Sequence, residues 1–256
     1  MRKTYLLIAF ILIASNYILA QDSPFYDAPF GVGGGYVGGW IVPKLDAINV
    51  QLQNFGVPAL PASGFYTSGG AGFVYLGFIK NFRVGGMGFG GSRTSTAAAI
   101  QSLPVPTGSK PQYATEFSEA TYSLGGGVLT IEYTLPFVKN FGISIGAGIG
   151  RGSLDIQLNK NLGNMNWENF WNASSGYDGY TQSSSLKNSF WIFTPTLNVD
   201  IPAYHLLAFR IGTGYQFTFG GNWTYNNNKN ILNGPTDING NSFYIQAGIF
   251  VGLFSY

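Results

Sequence analysis

Ionisable side chains are rare in this sequence, and three of them lie in segments where apolar residues alternate with small or polar ones. Charged residues make up 9% of the 256 residues, against about 25% in an ordinary soluble domain. The three are Glu132, Asp200 and Arg210. Such groups can form internal ion pairs, with Arg83 or Arg151 as a further partner, or they can line a pathway for ions or small solutes. The sequence leaves both possibilities open.

Residue sets for catalysis or metal binding are not found. The sequence has no Cys, which excludes a disulfide framework and a lipid-modified N-terminal cysteine. The single histidine, His205, directly follows a predicted short turn, and we interpret it as an interfacial side chain and not as a catalyst. One His with scattered carboxylates does not make a metal-ligand set. We therefore predict no catalytic residue, no metal site and no cofactor.

Two glycine-rich stretches match the letters G-x-G-x-x-G, at Gly33 to Gly38 and at Gly86 to Gly91. A phosphate-binding loop needs this pattern between a strand and the N-terminus of a helix, whereas both stretches lie inside segments with a two-residue period. We interpret these glycines as positions where strongly twisted strands bend in a narrow space. No basic stripe with interleaved aromatic residues is present, so nucleic acid is not an expected partner.

Aromatic and amide side chains are concentrated in two polar segments, "NMNWENFWNASSGYDGY" and "NWTYNNNKN". Such side chains suit contact with sugars or protein surfaces, and they equally suit an aromatic belt at a membrane surface. The candidates for recognition are Trp167, Trp171, Tyr177, Trp223 and Tyr225. The pattern does not identify their surface ligand.

The N-terminus has the pattern of an export signal. Arg2 and Lys3 precede the apolar segment "TYLLIAFILIASNYILA", and we predict cleavage after Ala20, with an uncleaved anchor as the alternative. No other apolar run approaches the roughly 18 residues of a transmembrane helix. The predicted division is a signal peptide over residues 1–20, an N-terminal extension over 21–27 and a single domain over 28–256.

Eight segments of this domain have the two-residue period of β-strands. The segments are residues 29–42, 65–79, 82–95, 115–135, 142–158, 188–201, 204–219 and 242–256. The connections alternate between long and short, and the short ones lie at 80–81, 136–141 and 202–203. A barrel that crosses a bilayer has short turns on one side and long loops on the other. The predicted fold is therefore all-β, an eight-stranded antiparallel up-and-down transmembrane β-barrel with short periplasmic turns and long outer loops.

The lipid and lumen faces can be predicted from the alternation. In the seventh strand Phe209 and Ile211 flank Arg210, which we expect to point inward because hydrocarbon does not solvate a charge. In the sixth strand Pro195 lacks an N–H and predicts a bulge or a locally unpaired position.

The fourth strand changes frame. Leu129 and Ile131 predict that odd-numbered positions face outward and that Glu132 faces inward. Tyr122 and Leu124, at even-numbered positions, are nevertheless apolar, as if they faced outward. We therefore predict a bulge over the glycines at 125–127.

The long connection at 43–64 contains a predicted amphipathic helix. Asp46 is a candidate N-cap, and Gly56 with Pro58 would end the helix. The apolar face carries Leu45, Ile48, Leu52 and Phe55. We favour packing over the barrel rim, with a plug or a ligand lid as alternatives.

The last strand has aromatic and small residues at alternate positions up to the C-terminal tyrosine. These residues are Gly248, Phe250, Gly252, Phe254 and Tyr256. The opposite face is also apolar and is predicted to line a dry, packed lumen. Its residues are Ile245, Ile249, Val251 and Leu253.

The sequence resembles the small eight-stranded outer-membrane β-barrel proteins of Gram-negative-type bacteria, the group of OmpA- and OmpX-like barrels. The resemblance rests on the export signal, the strand count, the alternating connections and this C-terminal strand. The resemblance implies a location in the bacterial outer membrane, contact with outer-membrane lipid, and recognition of Phe250, Phe254 and Tyr256 by the barrel-assembly machinery. Barrels of this group serve as anchors, adhesion surfaces, small pores, carriers and occasional enzymes, and our first hypothesis is a non-enzymatic structural or surface-interaction role. The alternatives are a narrow channel or carrier for small or apolar solutes, lined by Glu132, Asp200 and Arg210, and a soluble secreted β-protein.

Overall fold

The protein folds as a closed ring of eight long antiparallel strands. The computed structural model describes residues 31–102, 113–136, 141–162, 182–204, 206–226 and 229–254. The elements are β1 (Gly31–Pro43), α1 (Asp46–Phe55), β2 (Phe65–Tyr75), β3 (Phe82–Ser102), β4 (Tyr113–Thr134), β5 (Gly142–Leu162), β6 (Gln182–Tyr204), β7 (Leu207–Tyr225), the short β8 (Lys229–Asn230) and β9 (Ser242–Phe254). Successive long strands pair with each other, and β9 pairs with both β7 and β1. This ring confirms the predicted up-and-down barrel. In the described part of the chain, no helix has the length and apolar character of a membrane span.

Five strands are longer than predicted at the end that carries the long loops. The observed limits there are Ser102, Tyr113, Leu162, Gln182 and Tyr225, against predicted limits of 95, 115, 158, 188 and 219. The added residues mix Ser, Thr, Asn and Gln with Ala, Gly and a few apolar or charged residues, so they lack the regular apolar alternation that marks a half-buried strand. They continue the backbone pairing as a projecting sheet of β3–β7, which we call the upper sheet (residues 92–102, 113–123, 153–162, 182–189 and 222–225).

The short turns lie at the opposite end, and two of them differ from the prediction: the first begins at 76, since β2 ends at Tyr75 and not at 79, and the last lies later in the chain. The last turn follows Tyr204 and not Pro202, because Pro202 still pairs with Ala208 of β7. A register shift between Pro202 and Tyr204 accommodates the proline, whose missing N–H would otherwise leave a gap in the ladder. The first turn occupies 76–81 and includes Asn81 with a positive φ of 64°.

Side chains alternate between an apolar outer face and a buried inner face. In β6, Trp191, Phe193 and Leu197 are exposed on the outside, whereas Asn198 and Asp200 are buried in the lumen. The outward apolar residues of β6 run over 191–201, ten residue steps, or about 33 Å of strand. At a tilt of about 40° this makes a band about 25 Å tall, the usual height of a transmembrane barrel. The predicted faces of the sixth and seventh strands are confirmed.

The predicted interruption at Pro195 is also found. The pairing of β6 with β7 passes from Phe193–Phe217 to Thr196–Gly214 without a change of register, and the positions between them are unpaired. The proline therefore interrupts the ladder locally and is not a bulge.

The predicted bulge in β4 is wrong. Tyr122 and Leu124 point inward, with exposed fractions of 2% and 1%, in the same frame as Glu132. Pairing with β3 and β5 is continuous through the glycines at 125–127. The reason is that the upper half of the lumen is an apolar core, so an apolar residue there does not mark the lipid face.

The face prediction for the last strand is also wrong. Phe250 points inward and is 1% exposed, whereas Ile245, Ile249 and Val251 lie on the outer surface. The polar residues of β9, Ser242 and Gln246, share the inward frame of Phe250, and this signal was not used in the prediction. Tyr256 lies outside the described residues.

Glycines on the two faces of the barrel have different surroundings. A Cβ on the inward-facing Gly150 would overlap the backbone carbonyl of Gly127, and one on Gly35 would overlap the carbonyl of Ile249. A Cβ on the outward-facing Gly90 would have no neighbour within 4 Å. Inward glycines therefore let adjacent strands lean together inside a narrow barrel.

The outward glycines are clustered. They form a continuous area without side chains on β1–β4, because they occupy paired register positions on the four strands. We call this area the glycine patch (Gly34, Gly70, Gly72, Gly86, Gly88, Gly90, Gly125 and Gly127).

Substitution of one inward and one outward glycine tests this account. Gly150→Ala is expected to destabilise the barrel by about 1–3 kcal/mol, because the methyl group collides with backbone. Gly90→Ala, the matched control, is expected to change stability by less than about 0.5 kcal/mol. Urea-induced unfolding in detergent, followed by tryptophan fluorescence, measures both. Equal effects of the two substitutions would contradict the assignment of the faces.

Candidate functional site

Four charged side chains meet in the lumen near the short-turn end of the barrel. We call Arg83, Glu132, Asp200 and Arg210 the lumen charge cluster. Each comes from a different strand, at an inward position close to the end of β3, β4, β6 or β7. All four are buried, with exposed fractions of 1–6%. The structure thus brings together Glu132, Asp200 and Arg210, and of the two candidates for a further partner it adds Arg83.

Arg83 has a partner for each of its guanidinium nitrogens. Its Nε donates to Oε2 of Glu132 at 2.5 Å, its Nη1 to Oδ2 of Asp200 at 2.6 Å, and its Nη2 to Oγ of Ser144 at 2.6 Å. Nη2 also forms an ion pair with Glu132. This arginine therefore connects β3 to three other strands.

Arg210 completes the cluster from the other side. Its Nε and Nη2 donate to the two oxygens of Asp200 at 2.6 and 3.2 Å, a bidentate arrangement. Its Nη1 lies 3.8 Å from Oε1 of Glu132, which also accepts a hydrogen bond from Nδ2 of Asn198 at 3.2 Å. Two positive and two negative groups therefore alternate, and the cluster is neutral.

Aromatic rings enclose the two arginines. The ring of Phe73 lies between them, 4.6 Å from the guanidinium carbon of Arg83 and 4.8 Å from that of Arg210. Phe250 lies 4.6 Å from the same carbon of Arg210 and packs against Phe73. These contacts fit cation–π attraction, which is stronger where water is excluded. Phe250 from β9 and Phe73 from β2 thus join the cluster.

The lumen around the cluster is filled. A cavity of about 20 Å³ lies beside Glu132 and Arg210, and a cavity of about 30 Å³ lies higher, beside Met87 and Tyr244. Each has room for about one water molecule. Arginines and carboxylates that are bound to each other in such a packed space are not arranged as a hydrated ion path.

The outer mouth is covered by the segment after β1. Ile48 and Leu52 of α1 are buried, together with Val57 and Leu60 of the chain that follows. They join one apolar core with inward side chains of the barrel and the upper sheet, including Tyr122, Leu124, Leu154, Ile156, Phe190, Ile192 and Tyr244. The helix packs over the mouth, as predicted for the rim, and its apolar face closes it.

Polar contacts fix this segment in place. The side chain of Asn49 donates to the carbonyl of Leu60 at 3.0 Å and accepts from its N–H at 2.8 Å. The Ser95 hydroxyl donates to the carbonyl of Pro58 at 2.7 Å. The segment is therefore bound both to itself and to β3.

The ends of α1 agree only in part with the prediction. Asp46 is not the N-cap: the helix begins at this residue, and the preceding Leu45 provides no side-chain cap. A carboxylate in the first turn still interacts favourably with the helix dipole. Gly56 ends the helix with a φ of 93°, as predicted.

The outer-loop recognition candidates divide into three groups. Trp223 is 7% exposed, and its Nε1 donates to the carbonyl of Pro235 at 2.9 Å, so it supports the connection between β8 and β9. Tyr225 is exposed at the top of β7. Trp167, Trp171 and Tyr177 lie outside the described residues.

Two further expectations concern single side chains. Arg151 does not join the lumen charges: it lies on the outer face, with its guanidinium carbon 4.6 Å from the Trp191 ring. His205 lies outside the described residues. Within the described chain, no group of three or more His, Cys, Asp or Glu side chains is placed to hold a metal ion.

Sequence reasoning missed several members of the site. Ser144, Asn198, Phe73 and Phe250 all contact the charged groups. Asn198 lies on the predicted inward face of the sixth strand, two residues before Asp200, but its contact with Glu132 was not predicted. The inward direction of Phe250 could have been identified from Ser242 and Gln246, the polar residues in the same frame of its strand.

Comparisons with known proteins give only distant likenesses. No protein-family model matches the chain, and no curated protein matches it. Among solved structures, it is similar to a major outer membrane protein from Thermus thermophilus (9% identity, 87% of this chain and 99% of that chain covered, TM-score 0.43). It is also similar to the outer membrane protein OprG from Pseudomonas aeruginosa (11%, 88% and 96%, TM-score 0.37). A third is Ail, the attachment invasion locus protein of Yersinia pestis, in complex with a heparin analogue (8%, 88% and 97%, TM-score 0.35). Likenesses this distant carry no functional argument, and the fold assignment depends on the hydrogen-bonded ring.

Removal of one charge from the cluster tests its structural importance. Asp200→Asn leaves two arginines facing one carboxylate, and breaking a buried ion pair in this way costs about 3–5 kcal/mol. Asp155→Asn is the control, since Asp155 lies on the outward face of β5, above the apolar band. It is expected to change stability by less than about 1 kcal/mol. Urea titration in detergent measures both, and a tolerant Asp200→Asn would contradict the structural assignment.

The attachment of α1 can be tested with two substitutions on the same helix. Leu52 is 2% exposed and Val50 is 56% exposed. Leu52→Ala should weaken the packing by about 2–5 kcal/mol and accelerate hydrogen exchange of the α1 amides, whereas Val50→Ala should leave exchange unchanged. Equal exchange in the two variants would show that the helix is not held by its apolar face.

Proposed function

We propose that the protein is an integral outer-membrane β-barrel with a closed lumen and a non-enzymatic structural or surface-interaction role. The observation that carries this proposal is the mutual neutralisation of the lumen charge cluster beneath a mouth covered by α1. A barrel of eight strands encloses little more than its own side chains. Here those side chains are bound to one another.

Insertion into a membrane is supported by the outer surface. Exposed Ile, Leu, Val and Phe residues surround the ring, including Leu129, Ile145, Leu197 and Ile249, and an apolar area of this extent is unsuited to water. The closed ring leaves no strand edge within the band, which hydrocarbon requires.

The orientation of the barrel in the membrane follows from the lengths of the connections at its two ends. Outer-membrane barrels have short turns in the periplasm and long loops outside, so the upper sheet would project from the cell. Its polar outward face and the exposed Tyr113, Phe117 and Tyr225 are available for contact with other molecules. These features support a surface role.

A non-enzymatic role is supported by the hydrogen bonds of the two lumen carboxylates. Glu132 and Asp200 each accept hydrogen bonds from a guanidinium group, so neither is free to take a proton from a substrate. The export signal over residues 1–20 and the assembly signal at Phe250, Phe254 and Tyr256 stay predictions.

Two measurements test the proposal together. The folded protein should migrate differently in gels before and after heating and should require detergent or lipid for recovery, because its outer band is apolar. In planar bilayers it should give no steady conductance steps, since the lumen is filled. Recovery without detergent would contradict membrane insertion. Steady steps that an Arg210 substitution abolishes would contradict the closed lumen.

A further inference from the structure

A groove of about 750 Å³ lies on the outer wall of the barrel where β5, β6 and β7 enter the upper sheet. Its floor includes Gly125 and Gly220, so backbone is accessible there. The side chains around it are Arg151, Lys187, Ser189, Trp191, Asn222 and Thr224. The groove thus combines two cations with amide and hydroxyl groups and one indole ring.

The groove lies at the upper boundary of the apolar band. Arg151, Trp191 and Phe219 occupy paired positions across β5, β6 and β7, and the first two form the lower edge of the groove. The row below consists of Ile149, Phe193 and Phe217, and the row above consists of Ser153, Ser189 and Asn222. In a membrane, this boundary is the level of the lipid headgroups.

An irregularity of the sheet shapes the groove. The register of β6 with β7 shifts between Ser189 and Trp191, and Gly220 opposite this point has a positive φ of 67°. A glycine in this conformation is typical of a bulge that redirects the strand. Above the shift Asn222 is paired with Ser189, and both line the groove.

The charge of the groove is positive. Arg151 and Lys187 are both exposed, and none of the described residues that line the groove carries a carboxylate. The nearby Asp155, opposite Lys187 in the register, accepts a hydrogen bond from the Ser185 hydroxyl at 3.2 Å. The guanidinium of Arg151 lies against the Trp191 ring, which limits its freedom and orients it before a ligand arrives.

We propose that this groove binds a phosphate group of a lipid in the outer leaflet. A guanidinium offers paired N–H donors that match phosphate oxygens, and a lysine adds a second charge. A hydroxyl donor from Ser189 and an amide donor from Asn222 complete the chemistry. The inference rests on the proposed function, because that orientation places the groove in the outer leaflet.

A lipid fits this site better than a free anion does, because the groove opens downward onto an apolar surface. Phe193, Phe217 and Phe219 lie directly below or beside its lower edge and are exposed on the barrel wall. Acyl chains attached to a phosphorylated headgroup would lie along these rings. Inorganic phosphate would gain only the polar contacts.

The test uses the folded full chain in vesicles of neutral phosphatidylcholine that contain a small fraction of bisphosphorylated lipid A. Retention of lipid A through repurification is quantified by mass spectrometry for wild type, for Arg151→Gln/Lys187→Gln and for Arg93→Gln. Each basic residue near an anionic headgroup contributes about fivefold in affinity, so the double variant should retain lipid A about 30-fold more weakly. Arg93→Gln removes one exposed charge from the opposite face of the upper sheet, where Arg93 pairs with the inward Tyr122, and should bind as wild type does.

The outcomes that overturn the proposal are distinct. Unchanged retention in the double variant, or an equal loss in Arg93→Gln, would show that the groove is not the site. Equal retention of lipid A without phosphates would exclude phosphate recognition, and displacement by millimolar inorganic phosphate would indicate a free-anion site. The heat-dependent gel shift is measured on the same samples. Its absence would refute the proposed function, whereas a normal shift with unchanged lipid A retention would refute only this inference.

Discussion

The closure of β9 onto β1 and β7 is the constraint on which the rest of this structure depends. Hydrocarbon offers no partner to a strand edge or to a charge, so a barrel that faces lipid must pair its backbone around the whole ring and place its charges inside. Once the ring is closed with eight strands, the lumen is too narrow for water to solvate those charges separately. Arg83 and Arg210 therefore share Asp200 and Glu132.

The lumen is divided into two levels with different physical chemistry. Near the short turns, the ion pairs and the rings of Phe73 and Phe250 join strands from all sides of the barrel. Near the long loops, an apolar core continues from the barrel into the upper sheet and includes Leu52 of α1. In the lower level, directional ion pairs and hydrogen bonds determine which strands are joined. In the upper level, the burial of apolar side chains holds α1 and the chain after it over the mouth of the barrel. A solute would have to disrupt both levels to pass.

The sequence predicted the parts of this arrangement in which lipid and lumen demand different residues. Arg210 between Phe209 and Ile211 has only one acceptable direction, so its inward position could be predicted from the cost of a charge in lipid. Tyr122 could not be assigned in the same way, because a dry lumen and a bilayer accept the same apolar side chains. The direction of Phe250 is indicated only by Ser242 and Gln246, the polar residues that share its frame. The extensions of β3–β7 were missed for a different reason: with water on their outer face, their residues do not alternate regularly between apolar and polar, as the run of alanines at 97–99 shows. The partners of the arginines depend on register and curvature, which periodicity does not contain.

The glycine patch makes the barrel unequal around its circumference. On β1–β4 the wall is one backbone thick at Gly70, Gly88 and Gly127, whereas on β5–β7 it carries Trp191, Phe193 and Phe217. At the depth of the lipid hydrocarbon, the wall of the barrel is therefore thicker on the side of β5–β7 than on the side of β1–β4. The centre of the protein's cross-section is displaced from the axis of the hydrogen-bonded ring. Neighbouring lipids therefore meet a different surface on each side of the barrel. The two sides are distinguishable within the plane of the bilayer, and a rotation of the barrel about the membrane normal changes which lipids contact which side.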